Sequence, residues 1–131
     1  MAAGLSAVAC GGGARPATST TNAPKPSILL ITMDTTRADA VGPDAAGVAT
    51  PAINALIARG RRFVQAYAAV PETLPSHTSM LTGLYPAGHG VHENARYLSA
   101  STPVAAEQLQ KAGYRTSAFV SSFVLARRFG L

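Results

Sequence analysis

Residues 27–33, Ser27-Ile28-Leu29-Leu30-Ile31-Thr32-Met33, form a continuous apolar run broken only by Thr32. Its length and β-branched content suit a strand buried on both faces. A strand of that kind belongs inside a mostly parallel sheet with helices on either side, so the run predicts an α/β fold. Asp34 then falls at the carboxyl end of the strand, the edge where open α/β sheets place their ligands. A carboxylate there is either a turn or N-cap residue or part of a ligand site.

A second stretch, residues 72–83, predicts a short helix. Pro75 suits a first turn, where its missing N–H is no loss, and Gly83 suits the position just past the end. Thr73 thus sits at or beside the N-cap. It is either an ordinary capping hydroxyl or a hydroxyl nucleophile placed where unpaired N–H groups and the helix dipole hold a tetrahedral oxyanion. Thr50-Pro51 opens another helix with Ile53, Leu56 and Ile57 on one face and Gly60 as its stop. Thr102-Pro103 opens a further one, with Val104 and Leu109, ending at Gly113. Residues 62–68 and 115–121 read as two more strands, the latter placing Phe119 and Val120 in the core. Arg37 and Asp39 read as a local surface pair.

With 131 residues, 47% hydrophobic and 13% charged, the chain can build one modest core. The net charge of +5 and pI of about 10.0 invite a nucleic-acid or anionic-membrane reading. The basic residues are scattered, however, with Arg59, Arg61 and Arg62 in one group and Arg127 and Arg128 in another, and no basic run is interleaved with aromatics. They read as solvated helix ends, and no nucleic-acid partner is expected.

The single cysteine, Cys10, excludes an internal disulfide framework and a Cys-rich zinc site. Leu5-Ser6-Ala7-Val8-Ala9-Cys10-Gly11 resembles the end of a bacterial lipoprotein signal, with Cys10 as the lipidated residue. The residues before it contain no Lys or Arg, unlike a complete secretory signal, so an incidental cysteine is the alternative. Residues 1–26 are therefore read as a signal remnant and a flexible Gly/Ala/Thr/Ser/Pro tether, and residues 27–131 as the folded part. No apolar run approaches the roughly 20 residues needed to span a bilayer. Any membrane link would pass through lipid at Cys10, which suggests the cell envelope or periplasm. His89 and His92, beside Glu93, invite a metal reading, but Gly90 favours a loop over the helical spacing that such pairs use.

The run Thr73-x-Pro75-Ser76-His77-x-x-Met80-Leu81-Thr82-Gly83-Leu84-Tyr85-Pro86 resembles the signature of the sulfatase family, in the alkaline phosphatase superfamily. That signature reads Cys or Ser, any residue, Pro-Ser-Arg, two spacers, two apolar residues and Thr-Gly. Residues 28–39 resemble the family's opening strand and metal-ligand turn, and His89-Gly90-Val91 and residues 112–116 fit later segments. The resemblance implies an alkaline-phosphatase-like, mostly parallel sheet with flanking helices, of which residues 27–131 are the N-terminal part. It carries a metal-ligand role to Asp34 and the nucleophile position to Thr73, and it places His89 or Asn94 near substrate.

Three departures bear on the chemistry. Threonine at position 73 cannot give the formylglycine aldehyde that sulfatases form from Cys or Ser, and it resembles instead the nucleophile of the superfamily's phosphodiesterases and phosphoethanolamine transferases. His77 replaces the signature Arg, exchanging a permanent charge for a titratable one. Thr35 stands where sulfatases carry a second Asp. One Asp beside a Thr nucleophile resembles the superfamily's two-zinc members, and that resemblance implies zinc over calcium or manganese as the divalent metal, held by Asp34 and Thr73.

The expected function is metal-dependent hydrolysis or transfer of a sulfate or phosphate ester, small-molecule or linked to glycan or lipid. Thr73 would attack in line and His77 would orient or protonate. With few of the family's ligands present, the chain reads as truncated and inactive by itself. The alternative is a non-catalytic, lipid-tethered binding or scaffold remnant.

Overall fold

The structure, a computed structural model, describes residues 24–131. Cys10 and most of the tether lie outside the described residues. The chain divides after Ile31. In the first unit, residues 24–31 carry no regular secondary structure and are exposed.

The second unit, Thr32–Leu131, contains four α-helices: α1 (Pro51–Arg59), α2 (Thr73–Thr82), α3 (Pro86–His89) and α4 (Ala105–Lys111). Short 3-10 turns occur at Ala38–Ala40, Phe123–Leu125 and Arg127–Phe129. α2 is the hub, packing against α3, α4 and the Phe123–Leu125 turn.

The helices follow their punctuation. α1 has Pro51 at its first position and ends at Gly60, whose N–H bonds the Ile57 carbonyl. Ile53 and Ile57 are half-buried, while Leu56, expected on the same face, is exposed. α2 ends at Gly83 in the left-handed conformation, with φ 73° and an N–H bonded to the Ser79 carbonyl. Inside α2, Thr78 and Thr82 return their hydroxyls to the carbonyls one turn back, at 2.8 and 2.7 Å, so the buried Thr78 has a partner. α4 starts at Ala105, two residues later than Thr102-Pro103 suggested, and Glu107 accepts the Val104 N–H at 3.4 Å.

The core is Leu74, Val91, Leu98 and Phe129, with Val104, Val124, Leu125, Ala126 and Leu131 packed around it. Phe129 stacks on Tyr97 at 5.5 Å and meets the Phe123 ring edge-on at 5.6 Å. Its carbonyl accepts the Leu98 N–H at 2.9 Å, tying the chain end to the segment after α3. Arg128 lies 4.1 Å over the Phe123 ring, so this arginine is a cation–π partner where the sequence suggested only a solvated charge.

The predicted strands do not form. Among the described residues there is no β-strand, and residues 27–33, 62–68 and 115–121 lack regular secondary structure. The mostly parallel sheet is therefore not seen among the described residues. An apolar run expresses a demand for burial, whereas a strand also needs a neighbour to take its N–H and C=O groups. The apolar side chains stay in solvent: Leu29 and Phe63 are 83% and 74% exposed, and Phe119, expected in the core, is fully exposed. Val120 is also exposed. No helix among the described residues is long and apolar enough to cross a membrane.

Gly130 is the tightest point. Its φ is +96°, and a Cβ there would lie 2.8 Å from the Leu98 carbonyl oxygen and 2.9 Å from Leu98 Cβ. Gly83 shares a positive φ, 73°, but faces open space. Gly130→Ala should lower unfolding stability by roughly 2 kcal/mol or more and Gly83→Ala by about 1 kcal/mol, measured by denaturant titration.

Candidate functional site

The N-terminus of α2 gathers the residues that the sequence singled out. Glu72 is the N-cap, with φ −133°, and no side chain caps the helix from within. Thr73 is the first helical residue, and its hydroxyl points away from its own helix to Asp34, 39 residues earlier. The Oγ–Oδ distances are 3.3 and 3.1 Å, and the hydroxyl donates to the carboxylate. The capping role for Thr73 is thereby set aside.

Asp34 occupies a turn, and its Oδ1 also accepts the Thr35 N–H at 3.0 Å. Thr35 pays for that geometry with φ +52°, a conformation that β-branched residues rarely adopt. The Asp34 carboxylate thus accepts from the Thr35 main chain and the Thr73 hydroxyl together.

The first turn of α2 is less open to an anion than the sequence suggested. Pro75 has no N–H, Ser76 N–H bonds the Glu72 carbonyl at 3.1 Å, and Leu74 N–H donates to Asn94 Oδ1 at 2.9 Å. Asn94 N–H in turn donates to Glu72 Oε2 at 2.8 Å. Asn94 and Glu72 form a reciprocal clamp across the helix start, and Ala95, next in sequence, takes φ +62°. Asn94, suggested by the resemblance as a substrate contact, serves here as a cap from outside the helix.

His77 is buried, with both ring nitrogens engaged. Nδ1 lies 2.8 Å from the Thr73 carbonyl oxygen and Nε2 lies 3.1 Å from Thr32 Oγ. The ring therefore faces the main chain of Thr73 and not its hydroxyl.

His89 is also buried, at the end of α3. Its Nδ1 accepts the Val91 N–H at 3.1 Å, which puts the ring proton on Nε2, where it donates to Ser79 Oγ at 2.9 Å. Its ring thus joins α3 to α2. His92 is exposed, and Glu93 pairs with Arg96 at 2.5 Å. Arg37 and Asp39 form the expected surface pair, and the Arg37 guanidinium holds the Asp39 carboxyl below its usual range.

The sequence singled out Asp34, Thr73 and His77, and the structure brings all three to one end of α2. Sequence reasoning missed Thr32 as the partner of His77, Glu72 as that of Asn94 and Ser79 as that of His89. Thr32 carried a signal: it is the lone polar residue in an apolar run.

For a divalent cation, Asp34 and Thr73 supply oxygen donors from a carboxylate and a hydroxyl, which fit in kind. Among the described residues, no group of three His, Cys, Asp or Glu side chains could hold a metal ion. The two side chains by themselves do not complete a coordination shell.

A family model described as Sulfatase matches residues 26–124. An arylsulfatase of Clostridium perfringens is 33% identical over 107 residues, covering 79% of this chain and 22% of that protein. An ulvan-active sulfatase of Formosa agariphila is 34% identical over 94 residues, covering 71% of this chain and 18% of that protein. The chain therefore spans about a fifth of the length of these curated relatives. No solved structure matches it.

Burial first, and the nearby His92 second, push the His89 imidazole below the ordinary histidine range. The folded chain then binds fewer protons than the unfolded one, so stability is full above the unfolded value and declines as pH falls below about 6.5. Thermal midpoints should fall from about pH 6.5 to 5, and His89→Gln should flatten that dependence.

Proposed function

Because the chain belongs to the sulfatase family, we propose that it carries the nucleophile and one metal-ligand carboxylate of an ester hydrolase or transferase. Thr73 is the nucleophile and Asp34 the carboxylate. The family implies an alkaline-phosphatase-like fold and, in general, metal dependence. The observation that supports this reading is the Thr73 hydroxyl held 3.1 Å from Asp34 across 39 residues of sequence.

The chemistry follows from that contact. Asp34 accepts the hydroxyl hydrogen and so turns the Oγ lone pairs outward, toward an ester. As Oγ bonds to phosphorus or sulfur in line, the bond to the leaving alkoxide breaks, the Thr73 proton passes to Asp34, and the alkoxide takes up a proton from solvent. Water then attacks the phosphoryl or sulfuryl group on Thr73, one of its hydrogens restoring the hydroxyl; the phosphate or sulfate product leaves, and Asp34 returns its proton to solvent. A divalent cation bound by Asp34 and Thr73 would lower the hydroxyl pKa and offset charge on the ester oxygens. Zinc is the preferred ion, on the resemblance of a lone Asp beside a Thr nucleophile. His77 orients the Thr73 main chain through its Nδ1–H bond.

The similar proteins are named for sulfate esters. Threonine cannot yield formylglycine, which supports phosphate esters as the rival class, free or linked to glycan or lipid. Both leave a covalent adduct on the same oxygen. Acid-quenched protein from a complete enzyme should carry added mass at Thr73, with a phosphorus-31 signal for the phosphate class and none for the sulfate class. Thr73→Ala should abolish adduct and turnover; turnover surviving that change would sink the proposal, whereas a complete protein with neither adduct nor turnover would favour a non-catalytic binding role.

The proposal includes an envelope location through lipid at Cys10. Cys10→Ser should move the protein from the membrane to the soluble fraction in a bacterial host that lipidates it, while an unchanged distribution would remove the anchor from the reading.

A further inference from the structure

We infer that Thr32 is a positioning residue for Thr73, acting through His77. A carbonyl oxygen only accepts, so His77 Nδ1, 2.8 Å from the Thr73 carbonyl, carries the ring proton. In the neutral ring, Nε2 is then a bare acceptor, and the Thr32 hydroxyl 3.1 Å away is its donor. The chain of bonds has one direction: Thr32 O–H to Nε2, then Nδ1–H to the Thr73 carbonyl.

His77 is only 8% exposed, so solvent is a poor substitute for that donor. A buried ring nitrogen without a partner carries a desolvation penalty and leaves the ring free to exchange tautomers. Thr32 also stands two residues before Asp34. One short segment therefore grips Thr73 twice. Asp34 takes the side-chain hydroxyl and Thr32, through the imidazole, takes the main-chain carbonyl. Two holds on one residue fix its backbone and its rotamer together, which a nucleophile requires and a merely packed threonine does not.

The inference rests on the proposed function only in reading Thr73 as a nucleophile. Side-chain nitrogen NMR of the full chain, at a pH where the ring is neutral, tests it. The unsubstituted protein and Thr32→Ser should show His77 with a protonated Nδ1 and a bare Nε2, and a single Thr73 χ1 rotamer. In Thr32→Val, both nitrogens should move toward averaged shifts and the Thr73 couplings should average. In a complete enzyme, Thr32→Val should lower kcat about tenfold with KM unchanged, and Thr32→Ser should restore it.

A protonated Nε2 in the unsubstituted protein overturns the inference, whether or not Thr32→Val folds. So does a Thr32→Val protein with unaltered ring shifts and Thr73 rotamer. Absence of turnover in the unsubstituted enzyme would count against the proposed function, while the ring measurement would still decide the role of Thr32.

Discussion

The burial of Leu74 at the start of α2 is the constraint on which the site depends. Its side chain is fully buried against Val91, Leu98 and Phe129, and its N–H is claimed by Asn94. Thr73 is the adjacent residue, so the packing that fixes Leu74 also fixes where Thr73 begins. The chain after α3 supplies both the core contacts and the Asn94 cap, and Leu98 N–H binds the Phe129 carbonyl to the same cluster. Core and site are thus one arrangement. A loss of packing at Phe129 would reach Thr73 through Leu98 and Leu74, without touching a polar group of the site.

The sequence revealed those parts of the fold that are decided locally. α2 was legible because Pro75 and Gly83 act on their own backbone: one removes an N–H that the first turn does not need, the other enters the left-handed region at no steric cost. α1 was legible from Pro51, which opens it in the same way, and from Gly60, which ends it in an extended conformation. The strands were not, because an apolar run does not name its partner. Ile28 to Met33 and Phe119 met every compositional test for a strand and are exposed without one. The pairing that makes a strand is a long-range property, and the period of a sequence is not.

In the site, what could be read was identity and what could not was direction. Thr73, Asp34 and His77 stood out by residue type and spacing. That the Thr73 hydroxyl turns to Asp34, and that His77 turns to a carbonyl, depends on segments far apart in sequence. The anion-holding helix start was a sound expectation for an isolated helix, since first-turn N–H groups lack partners within it. It fails here because Asn94, twenty positions later, fills the Leu74 donor. Its strained neighbour Ala95 marks how much the fold bends to deliver that cap.

The acidic residues sharpen the reading of Asp34. The chain has 6 Asp and Glu residues. Asp39, Asp44 and Glu93 pair with Arg37, Arg62 and Arg96, and Glu72 and Glu107 accept the main-chain N–H groups of Asn94 and Val104. Those contacts are the ordinary work of surface pairs and helix starts, and each is worth little in solvent. Asp34 differs from all of them. Its partner is the hydroxyl of a distant residue, and the turn that aims it holds Thr35 at a positive φ. Neither feature serves helix capping or ion pairing, and strain is retained where something depends on the geometry it maintains. The contact ties the turn at Asp34 to the first residue of α2, and it is the geometry from which the proposed roles of Thr73 and Asp34 are argued.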